Sequence, residues 1–376
     1  MKGCLTAAAV CRAIALGWRS VDASAELDDC PMADGGEGTV AALVAATGGR
    51  IVQRRVTGPL AEMKVDAEFG FLSDNKTAVV EMAAASGLAL LKPDEFNPMA
   101  TTTFGTGELM VAAAAMGAEK IIVGLGGSAT IDCGIGCAQA CGLPVLMQGG
   151  EPVSPTEPLT GGDLERVVLI KHGRGSKVDR VKIEAACDVA NPLCGPNGAA
   201  AVYAPQKGAT PEQVKWFDRQ LWRIANRTGN AAIADSPGAG AAGGLGFALA
   251  AFFGAKLRPG IQIVMEAARL ERRLAGADLC ITAEGRLDTQ SLAGKTVIGI
   301  ARLCKRLGVP CVALAGSIGP GAEQAIGEGI TQYVSISDGT TDLVESMANA
   351  EKLLAAAATN VARSFNATRG GDQSAR

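Results

Sequence analysis

The residues best suited to chemistry lie in one stretch, Ile121-Ile122-Val123-Gly124-Leu125-Gly126-Gly127-Ser128-Ala129-Thr130-Ile131-Asp132-Cys133-Gly134-Ile135-Gly136. A short apolar run bounded by glycines, with a helical segment over 137–141 behind it, predicts a buried strand, a tight turn and a helix N-terminus. Amides at such a turn lack intrahelical partners, and the helix dipole adds partial positive charge. Phosphate suits that place, because glycines let its oxygens approach the backbone. Ser128 and Thr130 add hydroxyl donors, and Asp132 puts a carboxylate within reach of a metal ion. A well-packed strand–helix turn would call for the same glycines. A second glycine-dense stretch, 237–246, opens an alanine-rich helix, and two such turns are harder to explain by packing than one.

The titratable groups narrow the mechanism. The only histidine is His172, in a polar stretch between Lys171 and Gly173-Arg174. A Ser-His-Asp or Cys-His device would rest entirely on it, which leaves catalysis to carboxylates, Lys, Arg and backbone donors. Asp34 and Glu37 share a glycine turn ahead of a helix over 40–46. Acids that close need water, a cation or a hydroxyl donor; a solvated turn is the plain alternative. Residues 101–108 offer several N-caps ahead of a helix over 109–116, with Glu108 suited to its dipole. Gly294-Lys295-Thr296 imitates the end of a P-loop, but the earlier glycine falls on Thr289 and the motif fails. Gly124-x-Gly126-x-x-Ala129 fits a loose dinucleotide fingerprint. The acid it needs about twenty residues on would be Glu151, which sits in a Gly/Pro turn.

The elements that must position these groups follow from the pattern. At 376 residues the chain is long enough for two domains. Its net charge of −3 shows no basic stripe, which excludes a nucleic-acid surface. The longest apolar run, 239–255, is too short and too glycine-rich for a membrane span. Eleven cysteines without CxxC pairs point to reduced thiols in the cytoplasm, with Cys133, Cys137 and Cys141 as packing residues. Helices are expected over 3–18, 211–227 and around 298–307, and another near the C-terminus before a frayed tail at 368–376. Strands are expected over 52–71 in two pieces, then 78–82, 182–187, 200–203, 277–282, 309–314 and 332–336; 143–165 has weak signals. This alternation reads as an α/β, doubly wound parallel sheet. Residues 1–50 lack a sheet edge of their own and are expected to join 274–376, with 51–273 inserted as a second α/β domain.

Ten stretches in order resemble the glycerate kinase family, type 1. They are Ala33-Asp34-Gly35-Gly36-Glu37-Gly38-Thr39, Thr57-Gly58-Pro59-Leu60, Glu81-Met82-Ala83-Ala84-Ala85-Ser86-Gly87-Leu88, Gly105-Thr106-Gly107-Glu108-Leu109 and Gly126-Gly127-Ser128-Ala129-Thr130. Further along come Ala186-Cys187-Asp188-Val189, Asn191-Pro192-Leu193, Pro205-Gln206-Lys207-Gly208, the run from Pro237 through Gly244, and Glu284-Gly285-Arg286-Leu287-Asp288. The resemblance implies ATP- and Mg²⁺-dependent phosphorylation of D-glycerate, the 2-hydroxyl favoured, and a flavodoxin-like domain built from both chain ends. It implies Asp188, Lys207 and Arg286 as catalytic residues: Asp188, at a strand end, as the base, with a turn-capping Asp as the plain alternative, and Lys207 and Arg286 for phosphate or the substrate carboxylate. Nucleotide would lie on Gly126, Gly127, Ser128, Thr130, Gly240, Gly243, Gly244 and Lys2. Substrate would meet Asp34, Glu37, Thr106 and Glu108, and the cation Glu284 and Asp288. No nucleic-acid or membrane partner is implied, and a homodimer is compatible with it. There are departures. The family begins with a strand and a Pro-Asp-Ser-Phe-Lys-type motif of which Lys2 alone matches the end; Ile131 and Cys133 replace an Asn and a Gly, and Ala283 a Gly. A start drawn too late, or a non-catalytic remnant that binds nucleotide or organic acid, would each account for the first. An NAD-dependent oxidoreductase is the remaining alternative.

Overall fold

The computed structural model describes residues 4–150, 153–170, 175–293, 296–337 and 342–373. It falls into two compact units, Met1–Ala33 with Val264–Arg376, and Asp34–Ile263. The seams therefore differ from those expected at 50/51 and 273/274. Residues 34–50 go with the middle unit because helix Thr39–Thr47 lays Val40 and Val44 on Gly70, where a Cβ would sit 2.5 Å from Val44. Met265, Leu270 and Leu274 pack into the core of the flanking unit instead.

In the middle unit the strands are β1 (Arg50–Thr57), β2 (Lys64–Phe71), β3 (Thr77–Glu81), β4 (Lys120–Gly124), β5 (Val145–Met147), β6 (Val167–Ile170), β7 (Lys182–Ala186) and β8 (Lys256–Arg258). Six form one sheet in the order β1-β2-β3-β4-β7-β8. The first two contacts are antiparallel and the rest parallel. Parallel strands are covered on both faces and read as unbroken apolar runs; Ala78, Val79 and Val80, and Ile121, Ile122 and Val123, are all fully buried. Helix Phe104–Ala115 makes the crossover from β3 to β4 and sets Leu109 and Met110 against Val80, Ile121 and Val123. Each such side chain contributes about 1.5–3 kcal/mol by leaving water.

A second core in this unit gathers Ile131, Ile135, Phe217, Leu221 and Phe247, largely from helices Pro211–Arg227 and Ala241–Phe253. The weakly signalled region 143–165 contains β5, which pairs antiparallel with β6. Residues 200–203, expected as a strand, belong to helix Ala199–Tyr203. Ala199 and Ala200 are fully buried against the second core, and the alanines' helix propensity favours the helix.

The flanking unit holds β9 (Cys280–Leu287), β10 (Cys311–Ile318) and β11 (Gln332–Ser335), all parallel, in the order β11-β10-β9. Alternate residues of β10 face opposite ways. Cys311, Ala313 and Ala315 meet helix Thr296–Leu307, while Val312 and Leu314 meet helices Ala7–Arg19 and Ala350–Gln373. Helices on both faces make this a doubly wound parallel sheet. The two terminal helices touch at Gly17, where a Cβ would lie 2.1 Å from the Ala355 carbonyl. The first helix starts at Ala7, later than expected, because the Thr6 hydroxyl caps it by accepting from Ala9 N–H at 3.2 Å. The frayed tail expected from 368 is still helical to Gln373. Among the described residues no helix is long and apolar enough to cross a membrane.

Candidate active site

Strands β3, β4 and β7 run parallel, so their carboxyl ends open on one edge, where ligands of α/β sheets bind. The turn 34–37 lies along that edge. Gly35, at φ +91°, has room for no side chain: a Cβ would stand 2.7 Å from the Ala186 Cβ and 2.8 Å from the Gly260 Cα. A Cβ on Gly124 would meet the Gly35 carbonyl at 2.4 Å, and one on Gly126 would meet Gly36 Cα at 3.3 Å. Leu125 N–H donates to the Ala186 carbonyl at 3.0 Å. These contacts bring Asp34, Glu37, Gly126 and Asp188, distant in sequence, to one place.

Asp34 accepts from Gly36 N–H at 3.1 Å, which shapes the turn, and Glu37 points into solvent. Asp188 follows β7 and is exposed; its Oδ1 accepts from Gly260 N–H at 2.8 Å, where helix Gly260–Ala267 begins. That bond orients the carboxylate at the strand end. Glu81, at the end of β3, is a further carboxylate at this edge. It accepts from Val40 N–H at 2.6 Å and Gly38 N–H at 3.1 Å, and so caps helix Thr39–Thr47. Burial pushes its pKa up, and the charge of Glu37 adds to the rise. The readable signal was Gly38, an N-cap with no side chain to accept the helix amides.

The expected phosphate site at the next helix N-terminus is filled from within. That helix, Ile135–Ala140, is only six residues long. Asp132 is fully buried and accepts from Gly134 N–H (3.1 Å), Gly136 N–H (3.4 Å), Thr103 N–H (2.8 Å) and the Thr103 hydroxyl (2.7 Å). Cys137 N–H donates to the Thr103 hydroxyl at 2.9 Å. Asp132 is thus the anion of this terminus and not a metal ligand in waiting. Cys133 has φ +52°, the left-handed conformation natural to the glycine that the resemblance places there.

What remains open is the front of the loop. Gly127 is exposed at φ +66°, Gly126 is half-buried, and Ser128 is 8 % exposed. Behind Ser128 lies Lys207, 2 % exposed, whose Nζ donates to Ser128 Oγ at 2.7 Å and to the Thr130 carbonyl at 2.8 Å. Burial drags its pKa from the usual 10.5 to about 7, with Asp132 pulling the other way. The Thr130 hydroxyl is buried with no hydrogen-bond partner among the described residues. A buried cation beside an unanswered hydroxyl is an environment for an anion.

The second glycine-dense turn is a packing device. A Cβ on Gly240 would strike the Pro192 carbonyl at 2.2 Å, and one on Gly243 the Thr130 carbonyl at 1.9 Å. Ala242, Gly243 and Gly244 all have positive φ, so the regular helix starts after them and not at 241. The loop they clasp is 130–133: Cys133 N–H donates to the Gly243 carbonyl at 3.1 Å. Thr106 is fully buried, its hydroxyl 3.0 Å from that of Ser86. Glu108 accepts from Thr57 N–H at 2.6 Å, tying helix Phe104–Ala115 to β1. Lys2, Glu151, His172 and Lys295 lie outside the described residues.

In the flanking unit β9 does not stop at Thr282 but runs to Leu287, so Glu284 and Arg286 share one face of the strand. Arg286 Nε lies 3.0 Å from Asp288 Oδ2, and Asp288 Oδ1 accepts from Gln290 N–H at 2.9 Å. The Asp288 side chain is 16 % exposed and that of Arg286 63 %.

The architecture and these groups define an α/β phosphotransferase. A model of the glycerate kinase family matches residues 1–366. The chain is similar to the glycerate kinase of Bacillus subtilis (strain 168), 45 % identical over 368 residues, covering 97 % of this chain and 95 % of that one. It is 41 % identical to the glycerate 2-kinase of Escherichia coli (strain K12), covering 96 % and 94 %. A crystal structure of a candidate glycerate kinase 2 from Salmonella typhimurium LT2 superposes with a TM-score of 0.87 at 42 % identity, over 98 % of this chain and 96 % of that one. The chain belongs to the glycerate kinase family and is a kinase, which leaves the oxidoreductase alternative without support.

Proposed function

We propose that this kinase transfers the γ-phosphoryl group of ATP to D-glycerate, at the 2-hydroxyl. The observation that carries the reading is the edge of the middle unit's sheet, where exposed Asp188 and the Gly126–Gly127 backbone share one place and the buried Lys207 ammonium backs the same loop at Ser128. Phosphoryl transfer asks for positioning, charge neutralisation and an acceptor for the hydroxyl proton. Asp188 takes that proton: Gly260 N–H orients its carboxylate at the edge beside Gly126. Lys207 acts from behind the loop as a positioning residue, fixing Ser128 and Thr130. Asp34 and Glu37 bound the place for the small acid, with their charges kept toward solvent and its hydroxyls.

Glu284 and Asp288 fit a hard cation. Both are oxygen donors, and Asp288 is pre-oriented by Arg286 and Gln290 N–H while each of its oxygens keeps a lone pair. Charge neutralisation is the chemistry that Mg²⁺ held by these two carboxylates would supply. Arg286, largely exposed on the same strand, carries the guanidinium chemistry that suits a phosphate group. All eleven cysteines are free thiols, which suits a reducing, cytoplasmic setting.

The test is a coupled assay of ADP release with D-glycerate and Mg-ATP, followed by phosphorus NMR of the product. Glycerate-dependent ADP and 2-phosphoglycerate are expected. Glycerate-dependent ADP with 3-phosphoglycerate would overturn the regiochemistry, and no ADP would overturn the activity.

A further inference from the structure

Three cysteines far apart in sequence come together in the flanking unit. Cys280 opens β9, Cys311 stands opposite it in parallel register at the start of β10, and Cys304 reaches the same face from helix Thr296–Leu307. Their sulfurs all lie within 4.8 Å of one another. Cys304 and Cys311 are fully buried and Cys280 is half-buried, so the triad can be approached from the Cys280 side. Val297, Ala301, Leu270 and Ile330 belong to the same apolar cluster.

Thiolate sulfurs around a central atom at about 2.3 Å lie about 3.5–4 Å apart, so small side-chain rotations close this triangle. Charge then selects the guest. Hydrogen bonding among the thiols, and burial with it, holds the Cys311 and Cys280 protons on, while the same hydrogen bonds bring the Cys304 thiol down to about 4. Three thiolates around a monovalent or divalent ion would leave net negative charge in an apolar core, which is costly without a counter-charge. A trivalent thiophile leaves none.

We propose that Cys280, Cys304 and Cys311 form a trithiol site for trivalent arsenic of the arsenite class. As(OH)₃ forms three As–S bonds and loses three As–O bonds. Each thiol proton departs with a hydroxide as water, three waters in all, and arsenic keeps its oxidation state. The product is neutral, which the surrounding core favours. Cys280 is met first, and closure on Cys311 and Cys304 then staples β9, β10 and the helix together.

The experiment incubates the reduced, full-length chain with sodium arsenite and reads native mass spectrometry and arsenic-edge X-ray absorption. One arsenic less three hydrogens per chain is expected, with three sulfur neighbours and no oxygen. Cys304→Ser should lose the adduct at the arsenite concentration that saturates the parent, while Cys137→Ser, in the other unit, should keep it. The absorption measurement needs no variant, so a Cys304→Ser chain that failed to fold would not shield the proposal. Two sulfurs and an oxygen in the parent, no adduct at all, or a three-sulfur adduct surviving in folded Cys304→Ser would each overturn it.

Discussion

In the turn 237–246 the glycines press on backbone: Gly240 against Pro192, Gly243 against Thr130, and Gly246 against the Gly238 carbonyl at 2.2 Å from where a Cβ would be. In the turn after β4, Gly127 faces solvent and the nearest obstacle to a Cβ is the Ala83 methyl at 3.3 Å. One turn uses glycine to let two loops touch; the other leaves backbone uncovered beside Asp188 and Lys207. The difference teaches that glycine density marks close approach without saying what approaches. The partner is another loop in the first case, and in our reading a phosphate in the second. The two are linked, since the clasp at Gly243 holds the Thr130 carbonyl that also receives Lys207.

That contrast can be broken by mutation, and the largest effect belongs to the clasp. Gly243→Ala should cost about 4 kcal/mol or more, because φ is +66° and its Cβ would overlap the Thr130 carbonyl. Soluble, normally stable protein in urea titration would refute the packing role. Asp132→Asn follows, at about 2–4 kcal/mol. An amide nitrogen would then face N–H donors where a carboxylate now accepts four bonds, and an unchanged urea midpoint would show that the internal anion is dispensable.

Lys207→Met sharpens the comparison through pH. Burial lowers the lysine's folded pKa to about 7 from 10.5, so between those values the unfolded chain binds the extra proton. This group's contribution therefore rises as pH climbs through that window. Relative to Lys207→Met, the parent should gain stability from pH 7 to 9.5 in urea titrations, and a gap that does not move with pH would contradict the burial argument. Gly127→Ala should have the smallest effect on stability, about 1 kcal/mol for a left-handed alanine. Its mark should be a raised KM for nucleotide in steady-state assays; an unchanged KM would separate this turn from the nucleotide.

Much of this was legible in the chain. The parallel core was plain because Ile121-Ile122-Val123 and Ala78-Val79-Val80 are apolar on both faces, and helix Pro211–Arg227 carries its own capping box at Thr210 and Gln213. Asp34 and Asp188 were readable as carboxylates in glycine turns or at strand ends. The rest depends on distant partners. Nothing local distinguishes Asp132 as an acceptor for Thr103, or turns 200–203 helical, because the deciding neighbours lie far off in sequence. Lys207 in its Pro-Gly turn reads as a catalytic cation, and only the packed loop over it reveals that its amine is buried behind Ser128.

The most direct trial of the account is the turnover of Asp188→Asn with D-glycerate and Mg-ATP, measured beside the parent once circular dichroism and the urea midpoint show the fold intact. Removing the proton acceptor should lower kcat by at least about 100-fold with little change in KM for nucleotide. Turnover within a few-fold of the parent would mean that the hydroxyl proton leaves by another route and that the open edge beside Gly126 is not where the chemistry happens.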